Sequence, residues 1–332
     1  EGCGTQIDPY LIKTAEDLAF LSLKVQEENI KDEEHKYIDA FYKQTAHIDL
    51  SSHYWLSIGG NTMEVNLAEE SQKAFRGVYD GQKYSISGIN FYSQTSASGV
   101  QLFSNVGLFG YTIGAEIRNI NLSAGDVVGN SHIGGLVGYA YTGLIENCIS
   151  YANVNGNQCC GMIGESFDIT LKQCFNHGNI TGKRGVGGLV GRILGNTSSS
   201  IINCIAQCNV KGSSSIHTAG LVGYVATNAD ISNSAFIGAV SNGYILTAAT
   251  NNASIVDCYA DGSSNLGLSA NTSAVKSTIY ITGENKYYYQ GENNFANWTM
   301  YNGKPLPAGL TWIGGIILCN EEFSLDGFTK IE

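Results

Sequence analysis

Short apolar pieces bracketed by glycine recur along this chain at a nearly constant interval. They read Gly107-Leu108-Phe109-Gly110, Gly135-Leu136-Val137-Gly138, Gly161-Met162-Ile163-Gly164, Gly188-Leu189-Val190-Gly191 and Gly220-Leu221-Val222-Gly223. Successive starts lie 28, 26, 27 and 32 residues apart, and self-similarity at such a period marks an architecture of stacked coils. Two further pieces keep the interval. One is Ile145-Glu146-Asn147-Cys148, matched by Leu171-Lys172-Gln173-Cys174, Ile201-Ile202-Asn203-Cys204, Ile231-Ser232-Asn233-Ser234 and Ile255-Val256-Asp257-Cys258. The other is Asn153-Val154-Asn155-Gly156, echoed by Asn179-Ile180-Thr181-Gly182 and Asn209-Val210-Lys211-Gly212. Three short strands per repeat, separated by Gly and Asn turns, predict a coil of triangular section whose neighbours pair in parallel sheets. Gly243-Tyr244-Ile245-Leu246 and Gly267-Leu268-Ser269 continue the pattern in weaker form.

Alternation assigns the faces. In a flat strand Ile145 and Asn147 share one side, Glu146 and Cys148 the other. A lone inward glutamate is costly, so a turn or bulge is expected between Glu146 and Cys148. The column Ile120, Cys148, Cys174, Cys204, Ser234, Cys258 then lines the coil interior, where a buried cysteine acts as a small hydrophobe. Adjacent coils sit about 4.8 Å apart, more than the roughly 3.5–4.5 Å between Cβ atoms that a disulfide needs. These thiols are therefore expected to stay unbridged. The column Asn119, Asn147, Gln173, Asn203, Asn233 is expected to hydrogen-bond turn backbone along the stack.

The ends depart from the period. Thr14 followed by Glu16 and Asp17 resembles a capping box and predicts a helix over about residues 15–29, with Leu18, Leu21, Val25 and Leu11 on one face. The acidic run at Glu27, Glu28 and residues 32–34 reads as a solvated helix end. Residues 35–106 read as irregular early coils, with a turn at Asp80-Gly81 and Tyr54-Trp55 assigned to the core. Residues 283–332 hold Tyr287, Tyr288, Tyr289, Trp298, Tyr301 and Trp312. A solenoid needs its exposed edge closed. The expected organisation is thus an N-terminal helical cap (1–34), a β-solenoid (35–282, clearest over 107–282) and an aromatic C-terminal cap (283–332).

Composition narrows the partners. Forty-one glycines against three prolines fit turn-rich β structure, and the net charge of -11 argues against nucleic acid or an anionic membrane surface. No apolar run reaches the ~20 residues of a membrane-spanning helix. The first residue is Glu1 and no secretory leader is visible, so a processed or excised product is expected.

Catalytic motifs do not fit this chain. A zinc protease helix needs His-Glu-x-x-His, but His35, His47, His53, His132, His177 and His217 are scattered. Gly-x-Ser-x-Gly is absent, and Glu165-Ser166 after Gly164 lacks the second glycine. Cys159-Cys160 are adjacent and Cys204 and Cys208 four apart. The latter would sit about 13 Å apart along a strand, so no cysteine metal site is expected. A glycan-cleaving β-helix enzyme would need carboxylates stacked on neighbouring coils, and Glu146 and Asp257 stand four coils apart. Lys183-Arg184 reads as a solvated turn. No catalytic residue, metal or cofactor is expected.

The five Gly-Leu-Val-Gly elements, with Asn-Cys and Val-x-Gly between them, resemble the GLUG-motif proteins. So do the lead-in Pro9-Tyr10-Leu11-Ile12, Thr14-Ala15-Glu16-Asp17-Leu18, His47-Ile48-Asp49-Leu50 and the segment Phe75-Arg76-Gly77-Val78-Tyr79-Asp80-Gly81. The resemblance covers residues 4–282 and implies a secreted or surface-displayed protein of gut Bacteroidales or similar bacteria, of a kind usually labelled as cell-adhesion proteins. The motif also accompanies bacterial IgA-cleaving metallopeptidases, and it brings no catalytic residues with it.

The expected protein is all-β: a parallel β-solenoid of about seven to nine coils of 26–32 residues, with an N-terminal helix and a C-terminal cap. Its expected function is adhesion at a bacterial surface, binding glycan or a host or neighbouring-cell protein without chemistry. Tyr287, Tyr288, Tyr289, Trp298, Tyr301 and Trp312 are the candidate binding platform, or else they pack the solenoid end. A structural spacer and a carbohydrate-active enzyme are the alternatives.

Overall fold

The computed structural model describes residues 2–28, 36–52, 54–60, 73–91, 94–96, 99–101, 103–197, 199–248, 250–256 and 258–264. Beyond these it describes the strands Thr278–Tyr280, Lys286–Tyr289, Trp298–Tyr301, Lys304–Pro307, Leu310–Ile313, Ile316–Cys319 and Thr329–Lys330. The chain forms a parallel β-solenoid of about 7 turns, with one α-helix among the described residues. Successive coils pair in register: Glu116–Arg118 with Leu144–Glu146, then Thr170–Lys172, then Ser199–Ile202.

The interior is built from columns. Ile117, Ile145, Leu171, Ile201, Ile231 and Ile255 succeed one another across the coils, all buried. Cys148, Cys174, Cys204 and Cys258 form the expected inner column and are present as thiols. Each Sγ lies 3.6–3.7 Å from a carbonyl of the preceding coil, those of Ile117, Ile145, Leu171 and Ile231, and Cys148, Cys174 and Cys204 lie closer still, at 3.2–3.3 Å, to the carbonyls of Glu146, Lys172 and Ile202. A small side chain that can still donate a hydrogen bond suits a corner where the backbone turns inward.

That corner is the bend expected after Glu146. Asn119, Asn147, Gln173, Asn203 and Asn233 all adopt left-handed backbone, with φ between 46 and 57°. One left-handed residue breaks the alternation, so Ile145 and Cys148 both face inward. Asparagine enters this conformation more readily than most residues, which accounts for its place in the column. Side chains add bonds along it: Asn119 Nδ2 reaches Asp80 Oδ1 at 2.9 Å and Asn147 Nδ2 reaches Asn119 Oδ1 at 3.5 Å. Beside it Asp80, Arg118, Glu146 and Lys172 succeed one another with alternating charge, joined at 3.1 Å (Arg118–Asp80) and 2.6 Å (Lys172–Glu146).

Each Gly-Leu-Val-Gly piece is a sharp bend as well as a strand. Its leucine-type residue points into the core, and Leu108, Leu136, Met162, Leu189 and Leu221 are fully buried. Its last glycine touches the backbone of the coil before. A Cβ at Gly138 would lie 2.6 Å from the Val106 nitrogen, at Gly164 2.4 Å from the Ile133 nitrogen, and at Gly223 2.4 Å from the Val186 nitrogen. Residues 243–246 keep the shape, with Ile245 and Leu246 buried and Leu246 O accepting from the Leu221 amide at 3.0 Å. The weaker unit at 267–269 lies outside the described residues.

At the N-terminus the helix Ala15–Glu27 starts on the expected capping box: Thr14 accepts from the Asp17 amide and Asp17 from the Thr14 amide. Leu18, Leu21 and Val25 are buried. Leu11 is not on the helix; it stands 40% exposed in the strand Tyr10–Ile12, where alternation turns Ile12 inward instead. Glu28 is more than a solvated end, because its carboxylate accepts the amides of Lys36, Tyr37 and Ile38 at 2.9–3.1 Å. Trp55 is buried with Nε1 on the Leu108 carbonyl, while Tyr54 is exposed. At the other end the strand Lys286–Tyr289 runs antiparallel to Tyr259–Ser264 and to Thr278–Tyr280.

Gly138→Ala is expected to lower stability by about 1–3 kcal/mol, the range for forcing a methyl group into filled space. Thermal unfolding followed by circular dichroism measures it, and an unchanged midpoint would contradict the close approach described above.

Candidate functional site

The bend within each Gly-Leu-Val-Gly unit makes its two flanks face one another. The residue just after each motif forms one column, Tyr111, Tyr139, Glu165, Arg192 and Tyr224, in register from coil to coil. A second column precedes the motifs: Asn105, His132, Cys159 and Gly185, with φ of 54, 55, 52 and 63°. The residues that follow them are paired, Val106 with Ile133, Ile133 with Cys160 and Cys160 with Val186, and His217 stands at the next step before Thr218. Left-handed backbone is strained for a cysteine. It turns these side chains away from the core and toward the facing column.

Contacts between the columns follow. His132 meets the Tyr139 ring edge-on at 5.2 Å, and His217 meets Tyr224 the same way at 4.7 Å. Between them lies a buried carboxylate. Glu165 is 3% exposed. Its Oε2 accepts the Cys159 thiol at 3.2 Å and Arg192 Nη1 at 3.2 Å, and its Oε1 lies 3.8 Å from His132 Nε2. The Nδ1 of His132 is 2.7 Å from Asn105 Oδ1. A buried carboxylate without such partners would cost several kcal/mol. Arg192 is the cation that allows it, and its guanidinium continues over the Tyr224 ring at 5.7 Å.

These surroundings set the protonation states. Burial, then the negative charge and hydrogen bond of Glu165, push the Cys159 thiol far above its ordinary range. Burial lowers His132; Glu165 opposes this and Arg192 adds to it. Burial also lowers His217, helped by the positive charges of Arg184 and Arg192.

Two kinds of chemistry can be weighed on this geometry. Asn105, His132 and Cys159 supply the residue types of a cysteine nucleophile with its base and orienting amide. Their electrostatics oppose that use, because a nucleophile needs the thiolate and here the buried thiol keeps its proton, donating it in a hydrogen bond to the Glu165 carboxylate. The other is metal binding. His132, Cys159 and Glu165 bring ligand atoms within 4.8 Å of one another, a donor set that suits zinc. Arg192 already occupies the same carboxylate, and its positive charge would stand beside any bound cation. The cluster uses Glu165 to hold Arg192 in one place, and it leaves Asn105 Nδ2 and Arg192 Nε buried without a hydrogen-bond partner.

On the far side of Arg192 a cavity of about 200 Å³ opens to solvent, lined by Gln158, Cys159, Arg184, Gly185, Arg192, His217 and Tyr224. Arg184, expected in a solvated turn, begins the strand Arg184–Gly187 and lines this cavity. The aromatic residues expected to bind lie elsewhere: Tyr287, Tyr288 and Tyr289 on Lys286–Tyr289, Trp298 and Tyr301 on Trp298–Tyr301, and Trp312 on Leu310–Ile313. Whether their side chains assemble into a platform lies outside the described residues. The columns escaped a search by spacing within one strand, since their members stand a full repeat apart. Aligning the repeats on the glycines, and reading the residue after each motif, would have exposed Glu165 and Arg192.

Comparisons with known proteins agree with the repeat. The model of the GLUG motif matches residues 129–155. Halomucin of Haloquadratum walsbyi (strain DSM 16790 / HBSQ001) is 28% identical over 156 residues, which are 47% of this chain and 2% of halomucin. Among solved structures, a Bacteroides ovatus protein described as a "putative immunoglobulin A1 protease" superposes with a TM-score of 0.62, covering 92% of this chain and 94% of that one at 18% identity. That likeness is one of fold. The motif and the halomucin match point to a surface protein, and among the described residues no helix is long and apolar enough to cross a membrane.

Glu165→Gln removes the charge that fixes Arg192. Because Arg192 is partly solvated, stability is expected to fall by only about 1–2 kcal/mol, measurable by chemical denaturation; no loss would mean that the pair is not formed. Stability should also decline on acidification. His132 resists its proton in the folded chain but takes it up near 6.5 when unfolded, so its contribution is intact above about 6.5 and is lost as pH falls toward the lowered folded value. In His132→Asn that part of the pH dependence should disappear. Iodoacetamide at neutral pH should leave Cys159 largely unmodified in the folded protein, and rapid labelling on peptide mapping would contradict the raised thiol.

Proposed function

We propose that this GLUG-motif chain belongs to an extracellular bacterial surface protein that binds glycan or protein without catalysing a reaction. The observation that carries the reading is the cavity beside Arg192. It presents two guanidinium groups, an imidazole, a phenol and a carboxamide on adjacent coils, a set of hydrogen-bonding groups that suits a polar ligand. The thiol in its lining, Cys159, is held protonated, and the carboxylate that thiol meets, Glu165, is occupied by the arginine. The GLUG motif and the halomucin match support a place at the cell surface.

The reading is tested by binding of the folded chain to an array of glycans with mucin and matrix proteins beside them. Saturable binding to any one class is expected; silence from folded protein would remove the adhesive reading and leave a structural spacer.

A second reading, a cysteine-dependent hydrolase, is favoured only by the convergence of Asn105, His132 and Cys159. Hydrolysis of a peptide or ester library that is abolished in Cys159→Ala but retained in Lys172→Ala would establish it in place of the first.

The aromatic residues of the C-terminal segment remain part of the proposal as a second surface. Replacing Trp298 and Trp312 by Ala separates their roles. A fall of several degrees in the unfolding midpoint marks packing at the solenoid end, whereas lost binding at unchanged midpoint marks a contact surface.

A further inference from the structure

The cavity beside Arg192 reverses the sign of the molecule around it. The chain carries a net charge of -11, yet the cavity lining contains Arg184, Arg192 and His217 with Gln158 and Tyr224, and no carboxylate is among its lining residues. The Glu165 carboxylate is buried and bonded to Arg192 at 3.2 Å. Arg192 is held from two sides, by Glu165 and by the Tyr224 ring, and His217 is held against the same ring with its Nδ1 3.3 Å from Ser214 Oγ. A guanidinium fixed before a ligand arrives loses little conformational freedom on binding it, and His217, kept neutral by burial and the two arginines, adds a polar ring nitrogen rather than a charge. A guanidinium presents a planar fork suited to carboxylate or sulfate.

We infer that this cavity binds the acidic group of a saccharide, a carboxylate or sulfate ester on one sugar ring. The inference rests on the adhesive reading above and narrows its ligand class. About 200 Å³ of half-open space suits a single ring better than a folded partner. An acidic peptide is the rival occupant, and the fold disfavours it. Peptides commonly dock by adding a strand to an open sheet edge, whereas here the strands that carry Cys159 and Arg192 are hydrogen-bonded on both sides by neighbouring coils. The same coils carry a second, shallower hollow of about 450 Å³ lined by Tyr151, Asn153, His177, Asn179, Gln207 and Asn209 among others. Its carboxamides and rings suit the neutral hydroxyls of further sugar units.

The test uses the whole chain and matched glycan pairs that differ only in the acidic group: neutral, sialylated or uronate-bearing, and sulfated. Acidic members are expected to bind more tightly than their neutral partners, and the carboxylate and sulfate arms identify which group is preferred. Arg192→Gln should weaken that binding by about tenfold or more, the loss of one charged hydrogen bond. Since this change also disturbs Glu165, Arg184→Gln is the parallel variant: its side chain is exposed, so folding is unaffected and the acidic preference should shrink. Binding to neutral and acidic partners alike, indifferent to both substitutions, overturns this inference and leaves the adhesive reading standing. Polyglutamate that binds as tightly and is lost in the same variants assigns the cavity to acidic peptide and overturns it too. No binding to any glycan or protein on the array removes the adhesive reading itself.

Discussion

Everything in this molecule depends on how closely one coil approaches the next at the glycines. The backbone of each Gly-Leu-Val-Gly bend lies against the coil before it with no room for a Cβ. This contact lets a strand reverse direction locally while its leucine stays in the core. It also makes the flanks of the bend face each other, so that each repeat presents two residues across a narrow gap. Stacking then turns the pairs into two columns. The glycines are therefore part of the site's construction even though none of them offers a functional group.

Within those columns the fold is permissive about residue type. Tyr139 faces His132, Glu165 faces Cys159, and Tyr224 faces His217. A carboxylate can be buried at one step only because an arginine occupies the next step of the same column, one coil away. Parallel in-register stacking supplies such neighbours automatically, since side chains at one position stand about 4.8 Å apart. The alternating series Asp80, Arg118, Glu146, Lys172 uses the same rule on another face, where the pairs are more exposed and each contributes little.

Much of the architecture was legible in the chain. The glycine-bracketed repeats set the coil length, and the awkward inward glutamate at 146 called for the bend that Asn147 makes. Leu11 misled because helical periodicity was extended across Thr14, where the capping box had already fixed the helix start. The site was harder to see. Spacing along one strand gives Cys159 and His132 no partner, but a solenoid brings together residues one repeat apart, and His132, Cys159 and Glu165 converge with their ligand atoms within 4.8 Å of one another. Arg184 and Glu165 look ordinary until the repeats are laid over one another. Chemistry in such a fold is written down the columns and is invisible along the row.

The coil that begins at Gly188 is the longest of the regular ones, 32 residues to the next motif, yet its columns stay in register with their neighbours. Part of its extra length sits in the short 3-10 turn Ser215–His217, just before the strand Thr218–Ala219 rejoins the stack. Corners, then, act as expansion joints. Insertions and deletions can accumulate there in descendants of this sequence without displacing a paired strand, and the cavity wall that includes His217 is one place where such a length change falls. Lineages carrying the same scaffold can thus diverge in what they recognise by lengthening one corner, while the glycine contacts beneath it remain untouched.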